Sequence, residues 1–240
     1  WISRRNEKNT ARKGKAMADK ILRFTKMHGC GNDYVYINCF EEQVEDPSAL
    51  AVRLSDRHKG IGGDGVILIC PSEVADAKMR MFNLDGSEGK MCGNGIRCVA
   101  KYVYDHGIAR KQELKIETLS GIKTCLIHEQ NGEAGSVTVD MGDAILTPAD
   151  IPVNLPGERV VGQNVEVAGG IYEITCVSMG NPHCVIFGGD PDDLNLCEIG
   201  PLFEHDPIFP QQVNTEFIQV LDSHRLKMRE RERGSGETMA

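Results

Sequence analysis

What this sequence lacks narrows its possible roles first. No apolar run approaches the roughly 20 residues that a membrane-spanning helix needs, and residues 1–20 hold no apolar core of signal-peptide type. No Cys-x-x-Cys pair occurs among the nine cysteines, at positions 30, 39, 70, 92, 98, 125, 176, 184 and 197. That argues against a zinc knuckle or a thioredoxin-like redox site. An odd number of scattered thiols suits a reducing compartment, so a cytoplasmic location is expected. An excess of positive charge is missing as well: the formal net charge over 240 residues is −8.

That charge is unevenly spread. Residues 1–20 carry seven Lys/Arg against two Asp/Glu, which leaves the other 220 residues with 20 basic and 33 acidic, a balance of −13. A body that acidic excludes nucleic acid as an expected partner. Residues 1–20 (Arg4, Arg5, Lys8, Arg12, Lys13, Lys15 and Lys20 among them) are expected to be a disordered basic tail, with Met17-Ala18-Asp19 resembling a start of translation. At 40% hydrophobic, the remainder can bury a core of one large domain or two small ones.

Apolar alternation predicts strands over 21–27 and 34–38, split by the turn from His28 to Asp33. Asp46-Pro47 then opens a helix, with Asp as N-cap and Pro at its first position, running to about His58. Gly60-Ile61-Gly62-Gly63-Asp64-Gly65 formally fits G-x-G-x-x-G. A dinucleotide fingerprint needs a strand before it and a helix after it. Here a helix precedes and a strand, 66–70, follows, so no such site is expected. Further strands are predicted at 114–119, 123–128, 136–141, 171–179, 184–187, 216–221 and 225–229, with 141–156 as a connection. Strands dominate without simple βαβ alternation, which points to an α+β fold.

The stretch that organises the chain is 81–98, Met-Phe-Asn-Leu-Asp-Gly-Ser-Glu-Gly-Lys-Met-Cys-Gly-Asn-Gly-Ile-Arg-Cys. Ile96, Val99, Ala100 and Val103 recur at helical spacing. Cys92 therefore sits just before, or in, the first turn of a helix. There the amides of Gly93, Asn94 and Gly95 lack internal partners and the helix dipole is positive. Such an end binds a carboxylate or phosphate and favours a thiolate. A buried structural cysteine at a Gly-rich turn is the competing reading.

The two halves repeat each other. Gly29-Cys30-Gly31-Asn32 and Met179-Gly180-Asn181-Pro182 both follow a strand. Gly86-Ser87-Glu88 pairs with Ser235-Gly236-Glu237. Sixty positions separate Asn32 from Cys92, and sixty beyond Asn181 is position 241, one past Ala240. Asn83 lies nine before Cys92, and its counterpart nine before 241 is Glu232. Two related half-sites would set one acid–base group on each side of a bound molecule, which inverts a stereocentre without a cofactor.

Seven stretches then carry a resemblance: MHGCGNDY at 27–34, DRHKGIGGDG at 56–65, FNLDGSEGKMCGNGIRC at 82–98, VSMGNPHC at 177–184, GPLFEHDPIFP at 200–210, VNTEF at 213–217 and ERGSGETMA at 232–240. In order along 27–240, they resemble diaminopimelate epimerase, the cofactor-independent enzyme of lysine biosynthesis that converts LL-2,6-diaminopimelate to the meso form. The resemblance implies two pseudo-symmetric α+β domains, 21–140 and 141–240. Each would be a curled mixed sheet around a central helix, the second incomplete, with the active site between them. It implies that Cys92 is a catalytic acid–base and that Gly93 and Asn94 cradle the reacting carboxylate. Asn32, Asn83, Asn181, Asn214, Glu232 and Arg233 would hold the substrate. His183 would lie near the thiol and tune it, with a structural role left open. No cofactor and no metal are implied; the partner is a small amino acid, and a homodimer is possible.

This chain departs from the family in three ways. Gly65 stands where some members carry Gln. Glu230-Arg231 stand where apolar or aromatic residues are usual. The second catalytic cysteine would fall at position 241, so a chain truncated before it is expected to show little activity. The alternatives are an inactive fragment that at most binds substrate, a related racemase or phenazine-type isomerase, and a cysteine hydrolase using Cys92 and His183. The remaining cysteines are expected to be small apolar fillers.

Overall fold

The computed structural model describes residues 3–7, 21–234 and 236–238. It divides into two compact units, one running through Met141 and the other beginning at Gly142.

The first unit is built on a nine-stranded mixed sheet. Its strands are β1 (Ser3–Glu7), β2 (Leu22–Gly29), β3 (Asn32–Asn38), β4 (Gly65–Cys70), β5 (Ala77–Asn83), β6 (Glu88–Gly89), β7 (Glu113–Thr118), β8 (Gly121–Gln130) and β9 (Glu133–Val139). They run in the order β1-β2-β3-β4-β5-β7-β8-β9, with β6 paired to β5. Only β3–β4 and β5–β7 are parallel. The β2–β3 turn needs just Cys30 and Gly31, both at positive φ (52° and 96°), shorter than the sequence pattern predicted. Two positive-φ residues match the right-handed twist of a tight hairpin.

Two helices cover the sheet. α1 (Pro47–Ser55) is capped by Asp46, whose side chain accepts from the Ala49 amide. It stops three residues short of the expected His58, because Asp56 Oδ1 draws the amides of His58 and Lys59 into a separate turn. α1 covers one face with Ala51 against Val35, Ile37, Val66, Leu68 and Phe82. α2 (Gly93–Asp105) packs on the other face, against β2, β3, β5, β7, β8 and β9, so the sheet curls around it. Its stripe of Ile96, Val99, Ala100 and Val103 has no exposed surface. Burying each larger member of that stripe contributes about 1.5–3 kcal/mol. Because helices cover both faces of β4, its Val66–Ile69 core is apolar throughout rather than alternating.

One expectation needs correcting here. Ser3–Glu7, inside the segment expected to be a disordered tail, forms β1, antiparallel to Leu22–Lys26. Charge-rich composition argues against burial, but an edge strand needs only the backbone ladder of its neighbour. The rest of that expectation, residues 1, 2 and 8–20, lies outside the described residues.

The second unit has a six-stranded sheet in the order β10 (Gln163–Val167), β11 (Gly170–Ser178), β12 (Pro182–Phe187), β13 (Asn214–Asp222), β14 (Arg225–Glu232) and β15 (Gly236–Thr238). α3 (Leu196–Glu204) covers one face through Leu196 and Phe203, over Ile174, Cys176, Cys184 and Phe217. The internal duplication is written in the hydrogen-bond ladders. β3–β4 is parallel with Tyr34 opposite Gly65, and β12–β13 is parallel with His183 opposite Asn214. Every such pair differs by 149 positions, and so do Pro47–Ser55 of α1 and Leu196–Glu204 of α3. α3 therefore answers α1. Among the described residues no helix of the second unit answers α2, and the corresponding face leaves Ile171, Phe187, Val220, Leu226 and Met228 about half to three-quarters exposed.

Two features of the first unit carry measurable consequences. Gly65 pairs with Asn83 so closely that a Cβ on it would lie 2.1 Å from the Phe82 carbonyl oxygen and 2.9 Å from Tyr34 Cε1. The obstacle is a strand backbone, which cannot step aside. Gly65→Ala is expected to lower stability by about 2 kcal/mol or more, read as a shifted denaturant midpoint at unchanged slope. An unmoved midpoint would show that the strand pair yields.

The second feature is the ion-pair seat of the loop after α1. Asp33 bridges Lys26 Nζ (2.6 Å) and Arg57 Nη2 (2.7 Å), and Arg57 also reaches Asp64 Oδ1 at 2.9 Å. Burial pushes the Asp33 carboxyl up, but hydrogen bonds and charge from Arg57 and Lys26 outweigh it and hold it at about 2. A depressed carboxyl stabilises the fold above its unfolded value of about 3.9, and that contribution is lost as pH falls toward 2. The melting temperature of the parent should exceed that of Asp33→Asn near neutrality, with the gap closing between pH 4 and 2. A gap that stays constant over that interval would remove Asp33 from the account.

Candidate active site

Cys92 is the N-cap of α2, with extended backbone (φ −139°, ψ 116°). Its Sγ accepts the Gly95 amide at 3.2 Å and the Asn32 side-chain Nδ2 at 3.8 Å. Both donors favour sulfur carrying negative charge, and so does the positive end of the helix. Gly93 and Asn94 occupy the first two helical positions, where an α-helix supplies no acceptor for the amide. Gly93 is open: a Cβ on it would meet only Met141 Cε, at 3.9 Å. A carboxylate can reach these amides without displacing a side chain.

The β2–β3 hairpin delivers Asn32 to this helix end. Its close approach depends on Gly29, where a Cβ would sit 2.9 Å from the Asn94 carbonyl oxygen. Asn94 is held in place by its side-chain oxygen, which accepts from Arg97 Nη2 one turn later. The Asn32 Oδ1 atom is buried and has no hydrogen-bond partner among the described residues. A buried acceptor left open beside a thiol is positioned for an ammonium or N–H of a bound molecule. Asn83, at the end of β5, donates to Ser87 Oγ at 2.9 Å, so its amide is held by the following turn rather than by Cys92.

In the second unit, Asn181 lies in the turn between β11 and β12, and Asn214 opens β13. Asn214 is buried, and its Oδ1 accepts the Arg233 amide at 3.0 Å. Arg233 Nη1 donates to the Gln211 carbonyl at 2.9 Å, and burial shifts its guanidinium below its ordinary value. Glu232 Oε1 accepts from the Thr238 hydroxyl at 3.4 Å. The structure thus ties Asn214 and Arg233 together, with Glu232 next to them on β14.

His183 is accompanied by two residues that sequence reasoning did not single out as functional. Its Nδ1 lies 2.5 Å from Glu216 Oε1. Glu230 stands opposite Glu216 on the neighbouring strand. Burial and the neighbouring Glu216 and Glu232 push the Glu230 carboxyl up to about 7, while His183 counteracts them. Burial lowers the His183 ring, but Glu216 more than compensates, so its value is raised overall. The i, i+2 spacing of Asn214–Glu216 and Glu230–Glu232 was the available signal. On strands it places each pair on one face.

The other thiols divide. Cys98 and Cys125 lie in the core around α2, and Cys176 and Cys184 in that of the second unit, as expected of apolar fillers. Cys30 and Cys197 are exposed, contrary to that expectation, because one sits in a two-residue turn and the other on the outer side of α3.

Comparison with known proteins bears on this arrangement. The model of the diaminopimelate epimerase family matches residues 24–147 and 175–240. The chain is 56% identical to the diaminopimelate epimerase of Acetivibrio thermocellus over 91% of its own length and 78% of the relative's. Identity to the enzyme of Desulfovibrio desulfuricans is 55%, with the same coverage. Solved structures share the fold at low identity. A hydroxyproline epimerase from Agrobacterium vitis superposes with a TM-score of 0.63 at 13% identity, over 91% of this chain and 72% of that one. A methylitaconate-delta-isomerase gives 0.56 at 15%, over 91% and 76%. With curled mixed sheets, a thiol at a helix N-terminus and this level of identity, the chain belongs to the diaminopimelate epimerase family.

Proposed function

We propose that this chain serves the cofactor-independent epimerisation of LL-2,6-diaminopimelate to the meso form in lysine biosynthesis, an isomerase reaction on an amino acid. The observation that carries this reading is Cys92 at the N-cap of α2, hydrogen-bonded by the Gly95 amide and Asn32. The α-carboxylate binds the amides of Gly93 and Asn94. Cys92, as thiolate, removes the α-proton. The helix end then neutralises the charge that moves onto the carboxylate as the Cα–H bond breaks, which is where stabilisation accelerates the step. Asn32 Oδ1 takes an N–H of the reacting amino group. Inversion requires a proton delivered to the opposite face, and by family resemblance a second thiol delivers it.

Asn83, Asn181, Asn214, Glu232 and Arg233 are the proposed contacts for the distal amino-acid end. An Asn amide both donates and accepts, Arg233 pairs with a carboxylate and Glu232 with an ammonium. His183 is the proposed tuning group for thiol chemistry. Cytoplasmic location, a homodimer and the absence of nucleic acid or membrane partners belong to the same proposal. The net charge of −8 supports the absence of nucleic acid, the odd number of scattered cysteines supports the location, and the homodimer rests on family resemblance.

The test is proton exchange. Removal and return of a proton on one face needs only Cys92, so in D₂O with LL- or meso-diaminopimelate the chain should place solvent deuterium at Cα even where inversion is slow, followed by loss of the Cα–H signal in proton NMR. Cys92→Ala should slow that exchange about 10²–10⁴-fold, the usual weight of a positioned acid–base group. Exchange that survives Cys92→Ala, or no exchange by the folded parent with either isomer, overturns the reading. Deuterium at Cα also excludes a cysteine hydrolase as the main activity.

A further inference from the structure

Cys39 and Cys70 have no part in the chemistry above, and they lie side by side. Cys39 follows the last residue of β3, and Cys70 ends β4. These strands are parallel, with Asn38 opposite Ile69. The Cys39 amide donates to the Ile69 carbonyl at 2.8 Å, which carries the ladder one step further and sets Cys39 opposite Cys70. Strand alternation puts both thiols on one face: Cys39 continues Val35 and Ile37, and Cys70 continues Val66 and Leu68. That face is the one α1 covers, and both cysteines are half-buried at its margin. Neighbouring strands stand about 4.8 Å apart, within the roughly 4.4–6.8 Å between Cα atoms that a disulfide spans. The two thiols already share a hydrogen bond. Seven residues of extended chain, at about 3.3 Å each, separate Cys39 from Asn32. The pair is thus remote from Cys92 and across the sheet from α2.

The fold does not require this pair. In the second unit, the positions 149 residues later are Gly188 and Gln219. There the Gly188 amide donates to the Ile218 carbonyl at 2.9 Å, so the same ladder step closes without a thiol. The surroundings also set the pair apart. Lys78 on β5 stands directly opposite Cys70, which completes a row of Cys39, Cys70 and Lys78 across three strands. Arg80, two residues on and on the same face, holds its guanidinium 5.0 Å from the Phe82 ring centre. Both cations are shared with carboxylates, Lys78 with Glu117 at 2.8 Å and Arg80 with Glu88 at 2.7 Å. The hydrogen bond from Cys39 lowers the Cys70 thiol below its ordinary value against the effect of burial, and Arg80 and Lys78 add to it. A lowered, accessible thiol touching a second one is the arrangement of a redox-active cysteine and its resolving partner. Cys176 and Cys184 also face each other on adjacent strands, but neither has exposed surface, so no oxidant reaches them in the folded chain.

We propose that Cys39 and Cys70 are a site of reversible oxidative modification, a dithiol that a peroxide closes to an intramolecular disulfide. The Cys70 thiolate attacks one oxygen of hydrogen peroxide. An S–O bond forms, the O–O bond breaks, and the departing hydroxide takes up the proton that Cys70 lost, giving water. Cys39 then attacks the Cys70 sulfur. The S–S bond forms, the S–O bond breaks, and the second water leaves with the Cys39 proton. Two thiols lose two electrons and two protons, and the peroxide is reduced to two waters. A reducing dithiol reverses the modification by thiol–disulfide exchange. In a reducing compartment the bond is transient. It closes residues 39–70 into a loop that holds α1 and the Arg57–Asp64 ion pair, without involving Cys92.

The test treats the full, reduced chain with hydrogen peroxide, blocks the remaining thiols and maps the peptides by mass spectrometry. A Cys39–Cys70 cross-link should appear and should vanish on treatment with dithiothreitol. Cys30 and Cys39 share one tryptic peptide, 27–53, so fragment ions must assign the bond to Cys39. Cys39→Ser should leave Cys70 as a sulfenic acid that dimedone traps, at least about 10-fold more of it than in the parent. Cys70→Ser should give at least about 10-fold less adduct at Cys39, because the thiol that attacks peroxide is gone. With two variants the test does not hang on the folding of one. Three results overturn the proposal. One is Cys39 and Cys70 both still blocked at a peroxide dose that oxidises exposed Cys30. Another is a bond from either of them to Cys30, Cys92 or Cys197 instead. The third is a cross-link that forms only in the denatured chain.

Discussion

Burial of one stripe of α2 inside the curl of the nine-stranded sheet is the contact on which the candidate site depends. Ile96, Val99, Ala100 and Val103 are fully buried, against strands from both ends of the sheet. That packing fixes the helix axis, and with it the direction of the three amides at its start. Cys92 is the residue at which the chain turns from β-extended to helical, so the backbone directs its Cβ to the helix end and the Gly95 amide and Asn32 hold the sulfur there. The surrounding glycines serve the same geometry: Gly29 lets the hairpin with Asn32 approach, and a Cβ on Gly95 would lie 2.6 Å from Ile67 Cδ1. Packing energy from the core is thus converted into position at a reactive atom.

Much of this was legible in the sequence, and for physical reasons. Helical spacing after Cys92, the Asp46-Pro47 cap and the apolar run of β4 are local signals that tertiary structure had no cause to override. The half-to-half register was legible too, through Asn32, Asn181, Asn83 and Glu232. Adding 149 to α1 locates α3 to the residue, although Gly200 and Pro201 break the local helical pattern there. Pro201 is tolerated because it is the sixth residue of a nine-residue helix pinned at both ends by Leu196 and Phe203.

What stayed hidden was assembled across strands. The meeting of His183 with Glu216 and Glu230 joins residues 33 and 47 positions apart, and neither spacing means anything until β12, β13 and β14 are set side by side. The same holds for Glu204, whose buried carboxylate binds Arg231 Nε at 3.0 Å and the Gly234 amide at 2.9 Å. That pair locks α3 to β14, and at the matching positions the first unit has the uncharged Ser55 and Phe82. β1 was hidden for a different reason: pairing at a sheet edge asks nothing of side-chain pattern.

The two units make a controlled comparison within one chain. Strand order, ladder register and the position of one covering helix, α1 or α3, are shared, whereas among the described residues α2 has no counterpart in the second unit. Where the first unit spends Tyr34, Ile67 and Met81 on packing, the second carries His183, Glu216 and Glu230. Where the first has Gly65 and Asn83, the second has Asn214 and Glu232. The first three exchanges replace a packed side chain with one that must find a partner or lose free energy, and the other two put a larger polar group at a glycine and a charge at an asparagine. In the first unit the apolar side chains pack against α2, and among the described residues the matching face of the second sheet has no helix over it. The concentration of such exchanges at one end of β12, β13 and β14 is a sign of chemistry there, since local rules of stability are broken where binding or reaction requires it.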